Sequence, residues 1–193
     1  MARWPAPLYW AAPLWLVLVL SGCAAIPPVP SVPLDHPLSV NWTLQGRIGI
    51  QAGEQSLSGN IRWQHRADTD DVLMTSPLGQ GVARIERNAG GVVLEVPNQP
   101  ARHAADAESL TREALGYALP LSGMAWWVQA RPDPDRAFEA TRDAVGRLAQ
   151  LKQDGWVIDY LQYAEDMPAR PRKLVVAREG LEIRLVADSW QAE

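Results

Sequence analysis

Three histidines, His36, His65 and His103, are the only imidazoles in this 193-residue chain, so histidine-based metal or acid–base chemistry would have to be built on them. Zinc and related ions need ligands at short, fixed offsets, typically two histidines one helical turn apart with a carboxylate beside them. No two of these histidines share such an offset. The sequence also lacks a Gly-x-Ser-x-Gly elbow for an activated serine and a lysine-bearing glycine loop for phosphate. Carboxylates gather at Asp68, Asp70 and Asp71 and again at Asp133 and Asp135, among turn-forming residues. They read as solvated side chains of polar loops. No enzymatic arrangement emerges, and no metal or other cofactor is expected.

The single thiol, Cys23, has a different setting. Arg3 precedes an apolar run, Ala11 to Leu20, which is too short to span a bilayer but long enough for the core of an export signal. Leu20-Ser21-Gly22-Cys23 then resembles the bacterial lipobox, in which the cysteine is lipidated and becomes the new N-terminus. The alternative is an ordinary secretory signal ending near a cysteine. With no second cysteine, neither a disulfide framework nor a thiolate metal site can form. Residues 1–22 are therefore expected to be a signal peptide. Ala24 and Ala25 follow where aspartate would stand, which by resemblance to enterobacterial sorting rules favours the outer membrane.

Charge adds a constraint. Without Arg3, 17 Lys and Arg face 22 Asp and Glu, and no basic run suits nucleic acid or anionic lipid. Attachment to a membrane falls to acyl chains, each buried methylene contributing about 0.8 kcal/mol. Residues 23–37 form a lipidated, proline-rich tether with five prolines between Ala24 and Pro37, which favours an extended chain. Residues 38–193 remain for one domain with a real core.

That domain opens on strand-like alternation. Trp42, Leu44, Ile48 and Ile50 share one parity, as do Leu57, Ile61 and Trp63 after the turn Ala52-Gly53-Glu54. Short strands at Val72–Thr75, Val82–Arg87 and Val92–Val96 follow, the last two joined by Asn88-Ala89-Gly90-Gly91. After the loop Pro97 to Ala105 the period becomes helical: Asp106 is a good N-cap for Ala107, Leu110 and Ala114, and Gly116 ends the helix. A second short helix spans about Ser122 to Gln129, stopped by Pro132 and Pro134. Strands return at Leu148–Leu151, Trp156–Tyr163, Lys173–Arg178 and Leu181–Val186. Hairpin connections force antiparallel pairing, so the expected fold is mainly β with α, one antiparallel sheet whose apolar face the helices cover.

Six tryptophans follow Cys23 (Trp42, Trp63, Trp126, Trp127, Trp156, Trp190) against a single phenylalanine, Phe138. Core filling accounts for Trp42 and Trp190. Trp126 and Trp127 are adjacent and point about 100° apart on a helix, so one faces the sheet while the other lines a gap or the rim. Broad aromatic walls with few polar groups suit an apolar ligand. Leu78, in the turn Ser76-Pro77-Leu78-Gly79, is exposed at a loop tip, either without consequence or in contact with lipid or a client.

Trp42-Thr43-Leu44-Gln45-Gly46-Arg47, Gly59-Asn60-Ile61-Arg62-Trp63, Ser76-Pro77-Leu78-Gly79, Leu151-Lys152-Gln153-Asp154-Gly155-Trp156 and the strand-leading Pro171, in this order behind a lipobox, resemble the LolB family of outer-membrane lipoprotein receptors. The resemblance covers essentially the whole chain after Cys23. It implies a half-open antiparallel barrel with a helical lid over an apolar cavity. It also implies acceptance of client lipoproteins from the periplasmic carrier LolA and their insertion into the outer membrane without nucleotide, by a monomer. Leu78 matches the family's protruding loop between its third and fourth strands, and the resemblance favours a role in delivery. Strand parity assigns Trp63, Met74, Trp126, Trp127, Trp156, Val176 and Ile183 to the cavity, a choice that a one-residue slip would invert. The role of Arg47 stays open between a buried ion pair and a surface contact. Two rivals remain: a structural envelope lipoprotein with a solid core and a protein partner, and a carrier of another apolar lipid.

Overall fold

A computed structural model describes residues 39–166 and 170–192; Cys23 and the proline-rich segment lie outside them. Among these residues eleven strands form one antiparallel sheet: β1 (Asn41–Ala52), β2 (Gln55–Arg66), β3 (Thr69–Thr75), β4 (Gly81–Asn88), β5 (Gly91–Glu95), β6 (Arg102–Ala104), β7 (Phe138–Arg142), β8 (Leu148–Gln153), β9 (Trp156–Tyr163), β10 (Pro171–Arg178) and β11 (Leu181–Ala192). The helices α1 (Ala107–Leu115) and α2 (Leu121–Trp127) fall between β6 and β7.

The sheet order is β6-β5-β4-β3-β2-β1-β11-β10-β9-β8-β7. Every consecutive pair of strands apart from β6 and β7 is a hairpin or meander, and the first and last strands meet at the centre. The two edges, β6 and β7, are thus joined by the only long connection between described strands, and that connection carries both helices. It crosses the open side of the sheet, so topology alone puts α1 and α2 over one face. Alternation decides which face: Trp42, Leu44, Ile48 and Ile50 are buried while Gln45, Arg47 and Gln51 are exposed. The same phase runs through β2 to β5 and β8 to β11, whose inward residues join a single apolar cluster with the helices. A sheet this wide can gather its inward residues into one cluster only by curling around them.

Two glycines permit the curl. The β1–β11 register shifts between Gln45 and Gly46, and the β3–β4 register between Met74 and Thr75. A Cβ on Gly46 would overlap the Val186 carbonyl oxygen of β11, and one on Gly59 the Thr75 carbonyl oxygen of β3. Neighbouring backbones therefore approach where any side chain would hold them apart.

Helix α1 has the expected caps. Ser109 N donates to the Asp106 side chain at 2.7 Å, and Gly116 closes the helix at φ +85°. Helix α2 has no side-chain cap. The strand parity and the antiparallel pairing follow the sequence reading. The structure adds β6 and β7, lengthens β3 back to Thr69, carries β8 on to Gln153 and extends β11 to Ala192. Leu181 shares its face with Ile183 and Leu185 as expected, and the charged outer residues Glu182 and Arg184 pair with each other at 2.6 Å.

Candidate functional site

Trp63, Met74, Trp127, Trp156, Val176 and Ile183 come from β2, β3, α2, β9, β10 and β11, and all six are buried in the one core cluster. The parity is correct and the residues share the concave interior. Trp127 and Trp156 lie with ring centroids 6.3 Å apart. These side chains are closed off from solvent among the described residues. Trp126 is placed differently: it is half-buried and lines a rim cleft of about 400 Å³ with Ser39, His65, Arg87, Ala125 and Gln129. The adjacent indoles thus divide as helical geometry requires, one inward and one at the rim.

Next to that cleft, strand β3 corrects the loop reading of Asp70 and Asp71. Asp70 and Asp71 lie in β3, and Asp70 is only 3% exposed. Asp70 has the same phase as Val72 and Met74, so its carboxylate points inward. There it accepts Trp63 Nε1–H at 2.7 Å, meets His65 Nδ1 at 2.7 Å and pairs with Arg87, whose Nε donates at 2.6 Å. Burial pushes the Asp70 carboxyl up, but the bonds from His65 and Trp63 and the Arg87 charge outweigh it. The group is held below its ordinary value. His65 in turn stacks on Trp42, with centroids 5.1 Å apart. This is a polar plug at one end of an apolar interior, its carboxylate buried and its His65 and Arg87 reaching the cleft.

Helix α2 is held by a few directional bonds. Tyr160 Oη donates to the Trp127 carbonyl at 3.0 Å. Gln129, just past the helix, accepts from Ser39 N at 3.2 Å and from the buried Arg170 at 2.9 Å, and Arg170 also lies over the Trp190 ring. Gln153, at the end of β8, is 2% exposed and accepts Trp127 Nε1–H at 2.8 Å.

Leu78 stands at the other end of β3 from this plug, between β3 and β4, and is 90% exposed. The turn beneath it is tight: Gly79 N donates to Ser76 O at 2.8 Å and Ser76 N to Gln80 O at 2.7 Å. A firm turn therefore holds an apolar side chain out into solvent. Arg47 is on the outer face, paired with Asp188 at 2.9 Å, both largely exposed.

Comparison with known proteins decides the family. A family model described as "Outer membrane lipoprotein LolB" matches residues 40–190. The chain belongs to the LolB family. The outer-membrane lipoprotein LolB of Thiobacillus denitrificans is 60% identical over 177 residues, covering 92% of this chain and 94% of that one. The LolB of Pseudomonas putida strain W619 is 42% identical over 151 residues, covering 78% and 74%. Among solved structures, the LolA superfamily protein NE2245 from Nitrosomonas europaea overlays with a TM-score of 0.45 at 10% identity, covering 78% of this chain and 86% of that one.

Within this LolB-family domain the sequence reading missed Asp70, taken for a loop residue, and Gln153, left in the connection between the strands Leu148–Leu151 and Trp156–Tyr163. A signal for each was present. Asp70 is in phase with Val72 and Met74, and Gln153 with Leu151, so a polar residue on the apolar parity marks a buried polar contact rather than a turn. No helix among the described residues is long and apolar enough to cross a membrane.

Proposed function

We propose that this chain is cut before Cys23, lipidated there and held on the outer membrane with its domain facing the periplasm. There it accepts lipoproteins from a LolA-type carrier and passes them into the membrane. The observation that carries the reading is a continuous apolar interior whose cover is a seven-residue helix secured by a handful of hydrogen bonds, in a chain of the LolB family.

The chemistry is consistent at each step. Acyl chains exposed to water cost about 0.8 kcal/mol per methylene, so a lipoprotein must move between apolar surfaces without an aqueous interval. The interior bounded by Trp63, Met74, Trp156, Val176 and Ile183 supplies such a surface once α2 and Trp127 give way. Trp126 stands at the rim, where an arriving chain first leaves water. Leu78 is exposed on a rigid turn at the opposite end, suited to enter lipid during delivery. Transfer that consumes no nucleotide runs only downhill, from carrier to receptor to bilayer.

The test is direct transfer. A carrier loaded with labelled triacylated lipoprotein is mixed with the protein in phospholipid vesicles, without nucleotide. Label is expected to leave the carrier and reach the vesicles only when this protein is present. Label that stays on the carrier while the domain is folded would sink the proposal and favour a structural envelope lipoprotein with a solid core.

A further inference from the structure

Gln153 uses every hydrogen-bonding capacity of its side-chain amide on the last residue of α2 and the segment that follows it. Its oxygen accepts Trp127 Nε1–H at 2.8 Å and Asp133 N at 2.9 Å. Its nitrogen donates to the Asp133 carbonyl at 2.9 Å and the Arg136 carbonyl at 3.2 Å. A primary amide offers two acceptor lone pairs and two donors, so the group is saturated. All four bonds run to residues 127–136, so one side chain of β8 fixes the end of α2 and the chain that leaves it.

The surroundings mark this as a joint rather than ordinary core. A cleft of about 590 Å³ lies outside Gln153, lined also by Phe138, Trp156 and Val157 at the β7 edge. Trp127 lies on the inner side, 1% exposed and folded back on Gly123, where a Cβ would come within 2.6 Å of its ring. Upstream of α2, Gly116 closes α1 in the left-handed region, and the Leu119 N–H is held by the Thr111 hydroxyl at 2.9 Å. Helix α2 thus lies between the α1 cap at Gly116 and an amide clamp at Gln153. Hydrogen bonds are directional and fail over a fraction of an ångström, whereas apolar contact weakens gradually. Tyr160 and Gln129 also hold this end, but four of its directional bonds converge on one amide, so losing that amide loosens the lid more than losing either of the others.

We propose that Gln153 is the latch of the lid, a positioning residue that acts through Trp127 and the Asp133 backbone to keep α2 over the apolar interior. The functional consequence rests on the acceptance reading above; the latch itself does not. Releasing it frees Trp127 to leave the interior and opens space for an acyl chain.

The experiment compares the full chain and Gln153→Leu in lipid nanodiscs by hydrogen exchange, alongside lipoprotein pick-up from a loaded carrier. Loss of the latch is expected to speed exchange across 117–133 by about tenfold or more, leaving β1 and β2 unchanged, since local opening and global unfolding are separate events. Pick-up should become faster. In Trp127→Phe, which lacks the indole N–H, the additional effect of Gln153→Leu should shrink, as a shared contact requires. Should Gln153→Leu fail to fold, Gln153→Asn keeps the amide one methylene short and takes its place. Unchanged exchange in 117–133 overturns the latch, as does acceleration spread evenly over all strands. Faster lid exchange with unchanged pick-up overturns its role in acceptance. Faster lid exchange in a wild-type background that accepts no lipoprotein leaves the latch standing and removes the acceptance reading instead.

Discussion

Replacing Leu78 separates folding from delivery. The side chain is 90% exposed on a turn held by bonds of Ser76, Gly79 and Gln80 and by Asn60 Nδ2 donating to the Ser76 carbonyl. Its removal therefore forfeits almost no burial, and the change in stability should stay within about 0.5 kcal/mol. Entering lipid is another matter. Burying a leucine side chain gains about 1.5–3 kcal/mol, so Leu78→Ala should weaken insertion of the loop roughly tenfold, each 1.4 kcal/mol being a factor of ten. Leu78→Glu also carries a carboxylate into the apolar layer, and charged residues cost about 2.5–3.5 kcal/mol on translocon scales. The combined loss should exceed a hundredfold. The assay loads each variant with labelled lipoprotein and follows transfer to vesicles, with thermal unfolding measured on the same samples. Expected are unchanged unfolding midpoints, unimpaired pick-up from the carrier, and release rates falling from wild type through alanine to glutamate. Wild-type release by Leu78→Glu would refute the reasoning, because an exposed residue with no other contact could then have no part in delivery.

Three further outcomes follow from the plug and the curl. Asp70 is held below its ordinary carboxylate value, so its stabilisation is fully present above the unfolded value of about 3.9 and is lost as pH falls towards the lower folded one. Urea unfolding of wild type and Asp70→Asn at pH 7 and pH 3 should give a difference that is large at pH 7 and shrinks on acidification; an equal difference at both would show that the buried charge is not the source. Asp70→Ala, which strands Arg87 and the Trp63 indole, should cost about 3–5 kcal/mol. Gly59→Ala forces a Cβ onto the Thr75 carbonyl and should destabilise by more than the roughly 1 kcal/mol typical of point changes, whereas Gly49→Ala, whose Cβ meets nothing within 4 Å, should not. Equal unfolding midpoints for the two would contradict the close-approach argument.

How much of this was legible in the sequence depended on whether burial is one-sided. The central strands β1, β2 and β11 alternate cleanly because one face meets the core and the other water, so their parity, and with it the inward Trp63 and Ile183, could be read directly. Strand β7, Phe-Glu-Ala-Thr-Arg, was missed because it is an edge with little burial on either face, and burial is what imprints alternation. Strand β6 is three residues long and leaves no periodic signal. The exposure of Leu78 was legible from local chemistry, since a turn announces itself by Pro and Gly, whereas the Cys23 reading falls outside the described residues. Asp70 and Gln153 were misread for one common reason: polar residues near Gly and Asp resemble turns, and only their phase with Val72 or Leu151 reveals that they point inward. The division between Trp126 and Trp127 came from helix geometry. The clamp on Trp127 depends on β8 and α2 meeting across 26 residues of sequence, which no local pattern encodes.

The lid also bears on why transfer should end in the bilayer. Opening it uncovers the inward side chains of α2 and its end, Leu121, Met124, Trp127 and Val128, all buried in the closed form. At about 1.5–3 kcal/mol each, that exposure costs up to roughly 6–12 kcal/mol, offsetting the gain from about 8 to 15 acyl methylenes. A bilayer has no lid to displace, so the same chains gain more there, and cargo held by this protein lies uphill of the membrane by the opening cost. Met124→Ala tests the point, because it makes the closed lid worth about 2–5 kcal/mol less without touching β2, β9 or Leu78. If Met124 is displaced when cargo binds, the variant should hold lipoprotein more tightly and release it to vesicles at least tenfold more slowly, while its own unfolding midpoint falls. If Met124 instead stays and lines the acyl site, the variant loses contacts with the chain and should release it faster than wild type. The sign of one rate therefore decides whether α2 is a displaced cover or a wall of the site, and faster release would refute the opening-cost argument.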